Sequence, residues 1–127
     1  MSLRRQWPGW KGLDPDTKMG NTPTRCRVNV MHQSKLEAYR CDELAIQEAA
    51  GDITNLKAHP QPVYHLEVNG VRVATYRGDF EYVDRDGVLV TEDTKGFRTE
   101  VYQLKAALFA AIFGREILET RRVRGRR

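Results

Sequence analysis

At 127 residues and with no internal repeat, the chain is sized for one domain, which excludes separate cofactor and substrate lobes. Apolar residues at 40% and charged residues at 30% exclude wholesale disorder, and the longest unbroken apolar run, Ala106 to Phe113, is far short of the ~20 residues that a membrane span needs. The net charge of +4 is unevenly spread: residues 1–27 carry six basic and two acidic groups (+4), residues 115–127 six and two (+4), and the 87 residues between them nine and thirteen (−4).

Basic ends around an acidic body suit a polyanionic partner, with carboxylates gathered at the centre, for instance around a divalent cation. Solvated tails would give the same arithmetic, so the function has to be argued from the centre. The first residues lack the apolar stretch of a secretory leader, so a cytoplasmic protein with no membrane partner is expected. The sequence leaves open monomer or homodimer.

Residues 1–27, with Pro8, Pro15 and Pro23 and no sustained periodicity, read as an irregular basic arm that runs on to about Val30. The domain proper is placed at 28–120, and 121–127 form a basic tail. Ser34-Lys35-Leu36-Glu37 has the form of a capping box, and Gly51 supplies a stop, which predicts a helix over about 34–50. Cys41, Leu44, Ala45 and Glu48 follow Glu37 at helical spacing, so its carboxylate faces the packed side. Short β-type runs come next: Ile53 to His59, then Val63 to Val68, with Asn69-Gly70 turning tightly into a strand from Val71 that continues to Val83. Tyr76, Phe80 and Tyr82 fall on one face of that strand, and Arg77, Asp79 and Glu81 on the other. A turn at Asp84–Gly87 leads into Val88–Lys95. Thr99 caps a second helix running to Phe113, with Val101, Leu104, Leu108, Phe109 and Ile112 as its apolar face and Gly114 as its stop. Glu116–Thr120 then returns as a parallel strand by a right-handed crossover. The fold class is α/β, a single domain with an α-β-β-β-α-β core and a mixed central sheet.

Cys26 and Cys41 form no C-x-x-C pair and read as reduced, structural thiols. His32, His59 and His65 show neither H-E-x-x-H nor zinc-finger spacing, which argues against a zinc site.

The chemistry-bearing pattern lies on the central hairpin. Asp93 and Lys95 are two apart on a strand and leave the same face, while Glu92 and Thr94 leave the other. If Gly87 takes the left-handed position of a three-residue loop with a bulge, Asp84 opposes Val88 and Asp79 falls opposite Asp93; a two-residue loop would pair Asp79 with Glu92 instead. Two facing carboxylates repel unless a cation lies between them, and hard oxygen ligands suit Mg²⁺. Lys95 would orient an attacking water and offset charge on a phosphate. A solvated hairpin with an Asp–Lys salt bridge is the plain alternative.

Gly78-Asp79-Phe80 followed by Val90-Thr91-Glu92-Asp93-Thr94-Lys95-Gly96 resembles the PD-(D/E)XK nuclease signature. Together with Ser34-Lys35-Leu36-Glu37-Ala38 upstream and Tyr102 to Phe109 downstream, it is similar to a family of small, mostly phage-encoded proteins in that superfamily. The resemblance covers about residues 28–119. It implies a restriction-endonuclease-like fold and Mg²⁺-dependent (or Mn²⁺-dependent) hydrolysis of nucleic-acid phosphodiesters, with DNA in the bacterial host cytoplasm as the expected substrate. Phage DNA processing or recombination is the implied setting. Asp79, Asp93 and Glu37 are implied as metal ligands and, with Lys95, as the catalytic set, and Lys105 matches a basic position of the phage family. Arg77-Gly78 stands where the motif has a proline. Arg121, Arg122 and Arg124 of the tail are further candidates for phosphate contact. Glu37 is also explained as the fourth member of its capping box, and Lys105 as a helix lysine with its stem along apolar surface. A nucleic-acid-binding accessory protein that keeps the fold without cleaving is the alternative function.

Overall fold

The computed structural model describes residues 22–95 and 98–121. Its elements in chain order are β1 (Thr24–Arg25), β2 (Met31–His32), α1 (Lys35–Ala49), β3 (Thr54–Lys57), β4 (Val63–Val68), β5 (Val71–Arg77), β6 (Phe80–Val83), β7 (Leu89–Thr94), α2 (Glu100–Phe113) and β8 (Leu118–Thr120). Both helices start on the residues that their local chemistry favours. The Ser34 hydroxyl accepts the Glu37 N–H at 3.1 Å, and the Thr99 hydroxyl accepts the Tyr102 N–H at 3.0 Å, each satisfying a donor that the first helical turn leaves without a partner. α2 ends on Gly114 at φ 71°, a left-handed position suited to glycine.

The central sheet has the order β3-β6-β7-β8, antiparallel except for the parallel β7–β8 pair, so it is mixed. The chain is a small single-domain α/β protein, with this sheet and two helices among the described residues. Two apolar clusters flank the sheet. On one side α1 packs Ala38, Cys41 and Leu44 against Ile53, Phe80 and Tyr82. On the other, α2 sends Tyr102 and Phe109 against Leu66 and Tyr76 of the β4–β5 hairpin. Phe80, Phe109, Leu44 and Leu66 are wholly shielded from solvent, so truncating any one to Ala removes about 3–5 kcal/mol of combined transfer and cavity energy.

Four expectations change. The strand from Val71 does not run on to Val83: it stops at Arg77, and β5 belongs to a two-stranded sheet with β4, whereas β6 joins the central sheet. Gly78 makes this break close-packed, since a Cβ there would lie 3.3 Å from Thr91 Cγ2 and 3.6 Å from Pro62 Cγ, and its N–H donates to Pro62 O at 3.0 Å. Tyr76 therefore enters a different cluster from Phe80 and Tyr82, despite their shared alternation. The stretch up to Val30 is not wholly irregular either. Thr24 pairs with His32 and Arg25 with Met31, closed by Asn29 at φ 68°. The run Ile53–His59 shortens to Thr54–Lys57, with Asn55 at φ 57° and a register shift. Finally, Val101 and Leu104 of the expected α2 face lie exposed, whereas Leu108, Phe109 and Ile112 pack as expected, joined by Tyr102.

Candidate functional site

The site grows from the β6–β7 turn. Gly87 adopts φ 81°, its N–H bonds Asp84 O at 3.0 Å, and the Asp84 N–H bonds Val88 O at 2.9 Å, which is the three-residue loop with a bulge. The ladder then pairs Val83 with Leu89, Tyr82 with Val90, Glu81 with Thr91 and Phe80 with Glu92. Asp79, one residue before β6, thereby comes beside Asp93.

Asp79 is held from two sides. Its Oδ2 accepts the Thr94 N–H at 2.8 Å and the Thr94 hydroxyl at 2.9 Å, and its Oδ1 accepts Gln61 Nε2 at 3.1 Å. Asp93 is 4% exposed, and its Oδ2 accepts the Tyr76 hydroxyl at 2.6 Å. Burial, and then the adjoining Asp79 carboxyl, push Asp93 up to about 7, against the opposing pull of Tyr76 and Lys95. Lys95 Nζ sits 3.3 Å from Asp93 Oδ2 and 4.0 Å from the centroid of the Tyr102 ring. Asp79, Asp93 and Lys95 thus converge on the α2 side of the sheet, at the end of β7. Tyr102, Phe80 and Tyr82 are buried core residues.

Glu92 points the other way, toward α1, and is completely buried. It receives the Arg40 guanidinium on both oxygens, with Nη2 to Oε1 at 3.0 Å, and the Tyr82 hydroxyl at 2.7 Å. Burial alone would raise its pKa, but the hydrogen bonds from Arg40, Thr120 and Tyr82 outweigh it and hold the carboxyl below its ordinary value.

Glu37 is buried, yet neither the second half of a capping box nor the Asp79–Asp93 pair takes its carboxylate. His32 Nδ1 donates to Glu37 Oε2 at 2.8 Å. Beyond His32 lies an arrangement that the spacing argued against: Cys26, His32, Cys41 and His59 place one ligand-type atom each within 4.8 Å of all the others, a grouping of such atoms among the described residues that Glu37, Asp79 and Asp93 do not form. Both cysteines are free thiols. The cysteine and histidine positions, C-x5-H-x8-C-x17-H, match no short metal motif because all four come from different elements or loops, with Cys26 after β1, His32 in β2, Cys41 in α1 and His59 after β3.

Lys105 is half-buried on α2 and makes no ion pair among the described residues. Arg121 Nη2 bonds Glu119 Oε1 at 2.8 Å, while Arg122 and Arg124 lie outside the described residues. Gln61 and Tyr76, which touch the two aspartates, had no motif to mark them. Gln61 stands between Pro60 and Pro62, and Tyr76 reads as one more core aromatic of an alternating strand.

Residues 26–125 match the family described as "Protein of unknown function (DUF1064)". The chain belongs to that family. No curated protein and no solved structure matches it. No helix among the described residues is long and apolar enough to cross a membrane.

Proposed function

We propose that this protein is a Mg²⁺-dependent nuclease of the PD-(D/E)XK type that hydrolyses DNA phosphodiester bonds, of the kind encoded by phages. The observation that supports this reading best is the convergence of Asp79, Asp93 and Lys95. Two carboxyls adjoin on neighbouring backbone segments, and an ammonium stands 3.3 Å from one of them. Without a cation, burial and the adjoining Asp79 carboxyl push Asp93 up, which favours a proton held between the two.

The donor set fits a hard divalent ion: Asp79 and Asp93 offer carboxylate oxygens, and Thr94 and Gln61 orient Asp79 from behind. Mg²⁺ held there would polarise a phosphate oxygen and lower the pKa of water. Lys95, carried on the strand end and resting on the Tyr102 ring, orients the attacking water and offsets charge building on the phosphate. Tyr76 holds Asp93 in place. The basic terminal segments bind the backbone of the nucleic acid without reading sequence.

The test is cleavage of linear, nicked, branched and single-stranded DNA and RNA with Mg²⁺ or Mn²⁺. Asp93→Ala and Lys95→Ala should each abolish turnover, Asp93→Ala weakening Mn²⁺ binding as well and Lys95→Ala largely sparing it. If every substrate stays intact with both metals while DNA binding is clear, the protein is the non-cleaving accessory binder instead.

A further inference from the structure

We propose that Cys26, His32, Cys41 and His59 form a tetrahedral Zn²⁺ site that fastens the β1–β2 hairpin and the segment after β3 onto α1. The inference is independent of the nuclease reading and concerns the opposite side of the sheet. The chain has two cysteines and three histidines, and both cysteines and two of the histidines meet at this one point.

The separations fit the ion. With Zn–N near ~2.0–2.1 Å and Zn–S near ~2.3 Å, the edges of a tetrahedron are ~3.3 Å between two nitrogens and ~3.6 Å between nitrogen and sulfur. His59 Nε2 lies 3.4 Å from His32 Nε2, 3.5 Å from Cys41 Sγ and 3.9 Å from Cys26 Sγ. Two of these match tetrahedral edges and the third exceeds one by a few tenths of an ångström, and all four atoms lie within 4.8 Å of one another, so small side-chain shifts close the shell.

The neighbouring carboxylate gives a second, separate indication. Glu37 Oε2, 2.8 Å from His32 Nδ1, fixes the proton on that nitrogen and leaves the Nε2 lone pair aimed into the cluster. A carboxylate behind a histidine ligand is the usual outer partner of zinc-bound imidazole, where it orients the ring and raises its basicity. This also accounts for a buried Glu37 that neither caps its helix nor reaches the aspartates. A proton can bridge only one of the contacts around His59 Nε2 at a time, whereas a single cation satisfies two imidazole lone pairs and two thiolates together. Binding converts both thiols to thiolates and releases two protons to solvent, leaving Zn²⁺ with two anionic sulfurs and two neutral imidazoles.

Four protein ligands complete the coordination shell and leave no open position for water, so the site is structural. Its need is evident from the hairpin it anchors. β1 and β2 have two residues each, Val28 and Met31 are exposed, and only Cys26 and Val30 pack against the α1 cluster, so the pair has little apolar burial of its own.

Zinc content of the full-length protein, purified under reducing conditions without chelator, tests the proposal. About one Zn²⁺ per chain is expected. Exchange for Co²⁺ should give the visible d–d and near-ultraviolet thiolate-to-cobalt bands of a tetrahedral Cys₂His₂ centre. Cys26→Ser with Cys41→Ser could simply fail to fold, so exposed His59 provides the second variant: His59→Ala should keep the fold while weakening zinc binding by at least tenfold and altering the Co²⁺ spectrum. Glu37→Gln should lower zinc affinity by ~10–100-fold with the four ligands intact. A folded, reduced protein that contains no zinc and takes up neither Zn²⁺ nor Co²⁺ would overturn the proposal. So would a mass lower by two hydrogens, showing a Cys26–Cys41 disulfide in place of the metal. These readouts do not depend on cleavage, so an inactive protein that holds zinc would sink the nuclease reading alone.

Discussion

The Tyr76 hydroxyl donates to Asp93 Oδ2 at 2.6 Å, joining the β4–β5 hairpin to a central strand of a sheet the hairpin does not enter. This bond favours the ionised form of Asp93, opposing burial and the Asp79 carboxyl. Tyr76 is accordingly a positioning residue. Tyr76→Phe keeps the aromatic packing and removes the donor, so the acid limb of the kcat/KM profile should move to higher pH by about one unit, with a smaller fall at the alkaline plateau. An unmoved limb would show that Tyr76 serves packing alone.

Asp93 also sets a stability profile. Its folded pKa of about 7 lies above the ordinary aspartate value, so the folded chain binds more protons than the unfolded chain between those two values. Without Mg²⁺, stability should therefore fall as pH rises from about 4 to about 7 and level off above that, a loss on the order of a few kcal/mol. Asp93→Asn should remove the slope and melt higher than the parent at pH 8, while abolishing cleavage. Thermal melts in Mg²⁺-free buffer, without a chelator that would strip zinc, provide the check. A parent that grew more stable across this interval would contradict the assignment.

Arg40 and Glu92 predict a different kind of loss. Removing the guanidinium leaves a carboxylate fully shielded from water, with only hydroxyl partners. Arg40→Met should therefore cost about 3–5 kcal/mol in urea unfolding, and adding Glu92→Gln should recover most of it. A single-variant loss under about 1 kcal/mol would place the pair among ordinary surface bridges.

The C-terminal segment is tested through salt. Deleting residues 121–127 removes five arginines. DNA affinity should drop across sequences, and the slope of log K against log salt should flatten by ~0.9 for each phosphate that the segment neutralises. An unchanged slope would mark the segment as a solvated end.

Local chemistry was legible in the sequence, and long-range convergence was not. Ser34, Thr99 and Gly114 announce helix ends because a cap depends on residues within one turn. The choice of loop at Gly87 fixes which residue faces Asp79, so a single left-handed glycine carries the register of the acidic pair. The break at Gly78 leaves no mark, because the alternation of Tyr76, Phe80 and Tyr82 stays in phase across it. Arg40 and Glu92, 52 positions apart, show nothing locally of their pairing. The convergence of Cys26, His32, Cys41 and His59 is silent for the same reason, since the short metal motifs are those in which one turn or hairpin supplies neighbouring ligands.

β3 and β6 lie side by side in the central sheet, so everything between them, the β4–β5 hairpin included, is an excursion that leaves and returns to the same edge. At its tip Asn69 and Gly70 take φ of 53° and 79°, residues 67–73 are exposed, and a Cβ built on Gly70 meets nothing within 4 Å. The tip is therefore a graft point. A peptide epitope or a fluorophore-bearing loop spliced between Asn69 and Gly70 would leave the order of the central sheet unchanged.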